Sequence, residues 1–328
     1  MLKYQSKLVF FIFCSVLCWM LSSKAILANG GKLGMHILQT EEITEVRAIF
    51  EDDVWRYVTI PLTLEETKNW RRWQKFFDQA HQQKLIPIIR LATHYDPEQD
   101  FWTIPTRKDI VALVDFLSSL NWYQEEKLVI VFNEVNHAKE WGGKIDPLTY
   151  THILKFTSSW LRSENLNYKV LPAAMDLAAS DVFPSMEAFN YLETMYLIDA
   201  EIFEYVDYWN SHSYPNPGFS ASPKKTGKNS LRGFDYELNY LKNKTDQDYQ
   251  VFITETGWVS NYLINFYLSD YYLYALQHIW SDDRVKAVTP FVMRGAPGPF
   301  ASFSFFDAEE RPTIHAYAVK KALKNLLP

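Results

Sequence analysis

Glu134 and Glu255 are the residues from which chemistry is most readily built. Glu134 follows Asn133 in VIVFNEVNHAKEWGG (129–143), where apolar strand-formers run straight into a polar cluster. Glu255 follows Thr254 in VFITETGW (251–258) in the same manner. A single carboxyl behind a strand is usually a solvated loop residue. Two that converge suit cleavage of a glycosidic bond. One stays protonated to donate to the leaving oxygen, and the other is ionised to meet the developing oxocarbenium ion. Their mutual repulsion helps to hold those two states apart.

Convergence needs a framework, and the hydrophobic pattern supplies one. Strand patterns fall at 33–38, 55–61, 85–92, 128–133, 168–174, 206–213, 250–255 and 285–292. Helical patterns are clearest at 65–83, 107–120, 147–164, 234–243, 262–282 and 312–326. The connections 176–205 and 215–233 carry extra content, and the second, rich in Pro, Gly and Ser, reads as a long mobile loop. Strands alternating with helices imply a parallel sheet. Eight such units in about 250 residues predict an α/β fold, a single-domain (β/α)8 TIM barrel spanning 29–328. A doubly wound open sheet is the rival, but no glycine-rich phosphate turn follows an early strand. In a barrel, functional groups gather at the C-terminal ends of the strands. Glu134 ends the fourth and Glu255 the seventh, and strands three apart in a ring of eight face each other across its mouth.

Of the 328 residues, 48% are hydrophobic and 22% charged, a globular composition. The net charge of −6 and the lack of a basic stripe argue against a nucleic-acid partner. The 11 Trp and 20 Tyr offer flat rings for sugar stacking, although most such rings fill cores. At the N-terminus, Lys3 and Lys7 precede LVFFIFCSVLCWML, and SSKAILANG follows with small-x-small cleavage patterns. This predicts a signal peptide over 1–28, cut at about 25–30, and a secreted or periplasmic product with no stable membrane insertion. The alternative is an uncleaved anchor, for which the run is short. Cys14 and Cys18 both lie in this segment, so the mature chain would hold no thiol and depend on core burial for stability. The eight histidines form no H-x-x-x-H pair and have no cysteine partner, so neither a metal nor another cofactor is predicted. No G-x-S-x-G elbow is present.

With these motifs in place, residues 33–328 resemble the clan A glycoside hydrolases, the superfamily of cellulases, β-mannanases, β-xylosidases and β-1,3-glucanases. The likeness is to cellulase-type family 5 and xylosidase-type family 39 members. ITETGW is similar to their nucleophile segment. NEVNHAKEWGG is similar to the Asn-Glu-Pro-Asn form of xylosidase-like members, with Val135 where Pro is commoner, and the tail SFSFFDAEERPTIHAYAVKKAL resembles the closing segment of the clan. The resemblance implies that Glu134 is the acid/base, Asn133 a ligand of the sugar 2-hydroxyl and Glu255 the nucleophile. It implies a retaining double displacement, for which the carboxyl groups stand about 5–5.5 Å apart.

WNSHSYPNP closes the sixth strand with His212 and Tyr214, similar to the His-x-Tyr that positions the nucleophile in cellulase-type members. Arg90, in IIRLATHY, is expected to pair with a carboxylate, because a buried guanidinium demands partners. It falls on the third strand, whereas cellulase-type members carry theirs one strand earlier. His94 beside it is a further candidate. At the eighth strand, where many members place a Trp beneath the sugar, TPFVMRGAPGPF offers Phe291, Met293 and Arg294 instead. Arg294 is a candidate contact for an anionic sugar. Trp141, Trp258, Trp102 and Tyr95 follow strand ends and are candidate stacking rings. The expected activity is that of an exported retaining glycoside hydrolase acting on β-linked oligo- or polysaccharide. The rivals are a non-catalytic carbohydrate-binding barrel serving exopolysaccharide assembly or sensing, and a transglycosylase using the same glutamates. Neither the sugar, nor endo against exo action, nor the oligomeric state can be read from the motifs.

Overall fold

The computed structural model describes residues 31–326, so the expected signal segment and its cleavage site lie outside the described residues. Parallel strands β1 (Met35–His36), β2 (Arg56–Leu62), β3 (Leu85–Leu91), β4 (Lys127–Val131) and β5 (Tyr168–Pro172) form one sheet in sequence order. Strands β6 (Trp209–Ser211), β7 (Val251–Ile253) and β8 (Val285–Val288) form a second parallel sheet. Isolated parallel bridges join them into a ring, Leu33 to Val288 at one seam and Asp176 to His212 at the other. The protein is a (β/α)8 barrel.

Helices follow the strands: α1 (Val46–Ile49), α2 (Trp70–Gln82), α3 (Arg107–Ser119), α4 (Pro147–Glu164), α5 (Ala188–Ile198), α6 (Gly233–Lys242), α7 (Tyr262–His278) and α8 (Ile314–Lys324). Their starts are chemically marked. Thr106 and Asp109 close a capping box on α3, Asp146 caps α4 just before Pro147, and Asn261 and Thr313 cap α7 and α8. Two expectations change. The 176–205 connection holds α5, whose buried Ala188, Tyr191, Leu192 and Met195 keep helical spacing, while Leu197 on the same helix is 76% exposed and blurs the stripe. The 215–233 segment is pinned rather than loose. The Ala221 amide donates to the Pro215 carbonyl (2.9 Å), and the Trp258 indole donates to the Ala221 carbonyl (2.9 Å).

Strand alternation sorts the core into two layers. Ile88, Leu128, Ile130, Leu171, Phe252 and Ala287 fill the barrel interior, and a larger cluster packs between strands and helices. On β3, Ile86, Ile88 and Arg90 share the interior face, so the residue that tops this apolar stack at the C-terminal end is an arginine. At Gly34 a Cβ would meet the Tyr57 carbonyl oxygen at 1.9 Å, so glycine is what allows β1 to approach β2.

Candidate active site

The C-terminal mouth of the barrel opens into a cavity of about 980 Å³, whose lining includes Arg90, Asn133, Glu134, Tyr214 and Glu255. That size suits a small-molecule or sugar site. Glu134 arrives there through an unusual backbone: Phe132 (φ +70°) and Glu134 (φ +32°) both occupy the left-handed region. Non-glycine residues held in this way cost energy and persist where the surroundings fix them, commonly at functional sites. Here the Glu134 amide donates to the Ala174 carbonyl beyond β5 (3.0 Å), and the His137 amide donates to the Glu134 carbonyl (2.8 Å). Glu255 is set by Thr254, whose amide donates to the Ser211 carbonyl (3.2 Å) and whose hydroxyl donates to the Asn210 side-chain oxygen (2.6 Å).

The two carboxylates converge. One oxygen of Glu134, one of Glu255 and a ring nitrogen of His212 lie within 4.8 Å of one another. Arg90 Nη1 donates to Glu255 Oε1 (2.6 Å) and to Asn133 Oδ1 (2.7 Å), which locks the arginine, the amide and the carboxylate together. The Tyr214 hydroxyl donates to Glu255 Oε2 (3.2 Å). His212 Nδ1 lies 2.7 Å from Glu134 Oε1 and 3.8 Å from Glu255 Oε2. A cation among these three would face the Arg90 guanidinium, which lies 2.6 Å from Glu255 Oε1.

Burial alone would push the Glu255 carboxyl up, but the positive His212 and Arg90 beside it more than offset this and hold it at about 2. Burial likewise disfavours a charged His212, yet Glu255 and Glu134 outweigh that and raise its pKa. Burial raises the Tyr214 phenol well above its usual range, and the nearby Glu255 and Glu134 charges raise it further, so it stays a donor. Glu255 is therefore an ionised carboxylate held by the Arg90 and Tyr214 hydrogen bonds, with His212 beside it.

Sequence reasoning missed two groups here. His36 on β1 is fully buried, 3.8 Å from Glu255 Oε1, and burial depresses it to about 4, so it is neutral; its Nδ1 lies 3.1 Å from the Thr254 carbonyl oxygen. Its only signal was a polar residue inside an apolar strand. Glu140 lines the cavity and accepts from Asn133 Nδ2 (3.3 Å); burial, then the Glu134 charge, raise it to about 7. Nothing in the sequence separates it from Lys139 next door, which is exposed and paired with Asp100 (2.7 Å).

Other candidates lie elsewhere. Trp141 is buried against Phe132 and Tyr150, and Trp258 against Tyr271 and Tyr272, so both rings build the core instead of a sugar platform. Their polar neighbours in sequence had suggested a surface position that packing overrides. Arg294 turns from the cavity to Glu45 (Nε to Oε2, 3.1 Å) and Glu310 (3.0 Å). His94 is exposed and paired with Glu65 (2.5 Å). Tyr95 and Trp102, paired across a short antiparallel hairpin, do line the cavity, as does Phe291 at the end of β8.

Comparison with solved structures is informative at the level of fold. A monomeric β-xylosidase from Caulobacter crescentus superposes with a TM-score of 0.62 at 15% identity, over 88% of this chain and 67% of that one. A family 39 glycoside hydrolase from Bacteroides cellulosilyticus gives 0.60 at 14% identity, over 90% and 64%. Thermotoga maritima Cel5A, in a mutant form complexed with cellobiose, gives 0.57 at 13% identity, over 94% and 98%. The chain has the barrel fold of these glycosidases. It spans about two thirds of the xylosidase-type neighbours and nearly all of the cellulase-type one. No protein-family model and no curated protein matches it by sequence.

Proposed function

We propose that this protein is a retaining glycoside hydrolase acting on β-linked glycosides, with Glu255 as nucleophile and Glu134 as acid/base. The observation that carries the reading is the convergence of Glu134 and Glu255 within 4.8 Å. Such a separation suits direct attack on the sugar and leaves no room for the intervening water that inversion requires. Glu255, ionised and oriented by Arg90 and Tyr214, attacks the anomeric carbon as Glu134 gives its proton to the leaving oxygen. Glu134 then takes a proton from the water that releases the glycosyl-enzyme, and the glutamates end as they began. Asn133, its oxygen held by Arg90 and one N–H given to Glu140, keeps its second N–H for the sugar 2-hydroxyl. The N-terminal segment is assigned to export, which places the 29–328 domain outside the cytoplasm with carbohydrate as its partner.

The test is release of reducing ends from β-glucans, xylans and mannans by the wild type, Glu134→Gln and Glu255→Ala, with product anomers read by NMR. The expected result is hydrolysis with retention, reduced by about 10²–10⁴-fold in Glu134→Gln and at least as much in Glu255→Ala, with unchanged circular dichroism. Near-normal turnover by both variants would reject the assignment. Binding without turnover would favour a carbohydrate-binding barrel, and longer products a transglycosylase.

A further inference from the structure

The cavity has two unlike walls. On one side stand Gln39, Thr40, Thr63 and Glu66, from the segments after β1 and β2, and Arg72 of α2. On the other stand Phe219, Phe291, Phe300 and Phe303, joined to Tyr214. The rings of this second wall touch edge to face. Phe219 meets Phe303 at 83° (5.3 Å), Phe291 meets Phe300 at 89° (5.0 Å), and Tyr214 meets Phe219 at 75° (4.9 Å).

That geometry decides what the wall takes. A sugar ring stacks on one flat aromatic face, whereas perpendicular rings present alternating faces and edges and enclose a compact apolar volume. Phenyl rings also offer no donor or acceptor to sugar hydroxyls, and the Tyr214 hydroxyl is already committed to Glu255. A hydroxylated sugar lying there would lose water contacts without replacement, which is unfavourable. Phe219 and Phe300, 36% and 44% exposed, form the lip, while Phe291 is buried at the base, so the wall is open to a ligand from outside. Gly295 secures it: a Cβ there would lie 2.5 Å from the Phe300 carbonyl oxygen, so only glycine lets the Phe300 turn fold back this closely.

We propose that this phenyl box receives an apolar substituent of the sugar ligand, alkyl, aryl or acyl, while the polar wall reads the sugar. The inference rests on the glycosidase reading and narrows its substrate class to β-glycosides carrying such a group.

Binding, read by saturation-transfer NMR and calorimetry, tests it apart from turnover. The probes are methyl and n-octyl β-glycosides of glucose, xylose, galactose and mannose, with 6-O-octanoylglucose against glucose. The expected result is that chain-bearing probes bind at least about tenfold tighter than their partners, the gain of two or so buried methylenes. Octyl glycosides gain if the group is an aglycone, and the octanoyl ester gains if it is an acyl. Phe219→Ser with Phe300→Ser removes the advantage, and Phe300→Leu, which stays apolar, keeps most of it. Equal affinity across each pair, or no binding by any chain-bearing probe, overturns the inference. So does an advantage that survives the double serine variant, because the chain then sits elsewhere, for instance on the exposed Tyr262 and Phe266 of α7. A box-dependent advantage with no reducing ends released from the β-glucans, xylans and mannans supports the box and removes the hydrolase, whereas hydrolysis without that advantage does the reverse.

Discussion

A carboxylate is only as useful as the groups that fix its charge, and Glu255 has three of them. Arg90 and His212 supply positive charge, and Tyr214 supplies a neutral donor. With its pKa held at about 2, Glu255 remains ionised throughout the working range, so it sets no acidic limit near neutrality. Tyr214→Phe deletes one donor to this carboxylate and leaves the ring packing. A hydrogen bond to a charged group contributes enough that kcat/KM is expected to fall by about 10- to 100-fold. The melting temperature should hold. Unchanged kinetics would show that the phenol does not orient the nucleophile. The same reasoning explains what motifs could and could not reveal. Glu134, Glu255 and Arg90 were legible because each ends or interrupts an apolar run, and His212 and Tyr214 through their likeness to the His-x-Tyr of cellulase-type members. Glu140 was not, since its burial comes from loops that fold over it from distant positions.

Elements position these residues, and two of their contacts are open to test. On α6, Glu237 is fully buried behind β6, where it accepts from the Ser211 hydroxyl and the Trp209 indole (3.1 Å). Burial raises its pKa from 4.5 to about 7 despite those donors. The folded state therefore binds its proton more tightly than the unfolded chain does. Its contribution to stability is complete below about pH 4.5 and disappears as the pH rises through about 7, a change of about 3 kcal/mol. The stability of the wild type relative to Glu237→Gln, by urea unfolding, should fall between pH 4 and 8; a difference that stays constant across that range would place the titration elsewhere. Gly34→Ala forces a methyl onto the Tyr57 carbonyl, so β1 must move from β2. The expected loss is about 1–3 kcal/mol by urea denaturation, and a change below about 0.5 kcal/mol would show that the strands can give.

At the scale of the molecule, the ring is unevenly sewn. β2 and β3 pair over seven residues, whereas β5 meets β6 through an isolated bridge, the Asp207 backbone amide donating to the Val170 carbonyl (2.8 Å) and the Asn210 side-chain Nδ2 donating to the Pro172 carbonyl (3.1 Å). Local opening follows the weakest pairing. Amide hydrogen exchange is expected to be faster at the two seams, β5–β6 and β8–β1, each closed by an isolated bridge, than along β2 and β3; the opposite order would refute this account.

The eight strand patterns, most helices and the order of the two glutamates were determined by the sequence alone, because hydrophobic periodicity and the position of a polar residue behind a strand are local properties. Which wall each ring joins was decided only in three dimensions. Trp141 and Trp258 looked like Tyr95 and Trp102 on paper, yet the first pair is walled into the core and the second faces the cavity. Likewise Phe219, from the loop after β6, and Phe300, from the loop after β8, meet in one apolar wall although 81 residues apart. A ring's role depends on what packs against it, and those partners come from distant strands that only closure of the barrel brings together.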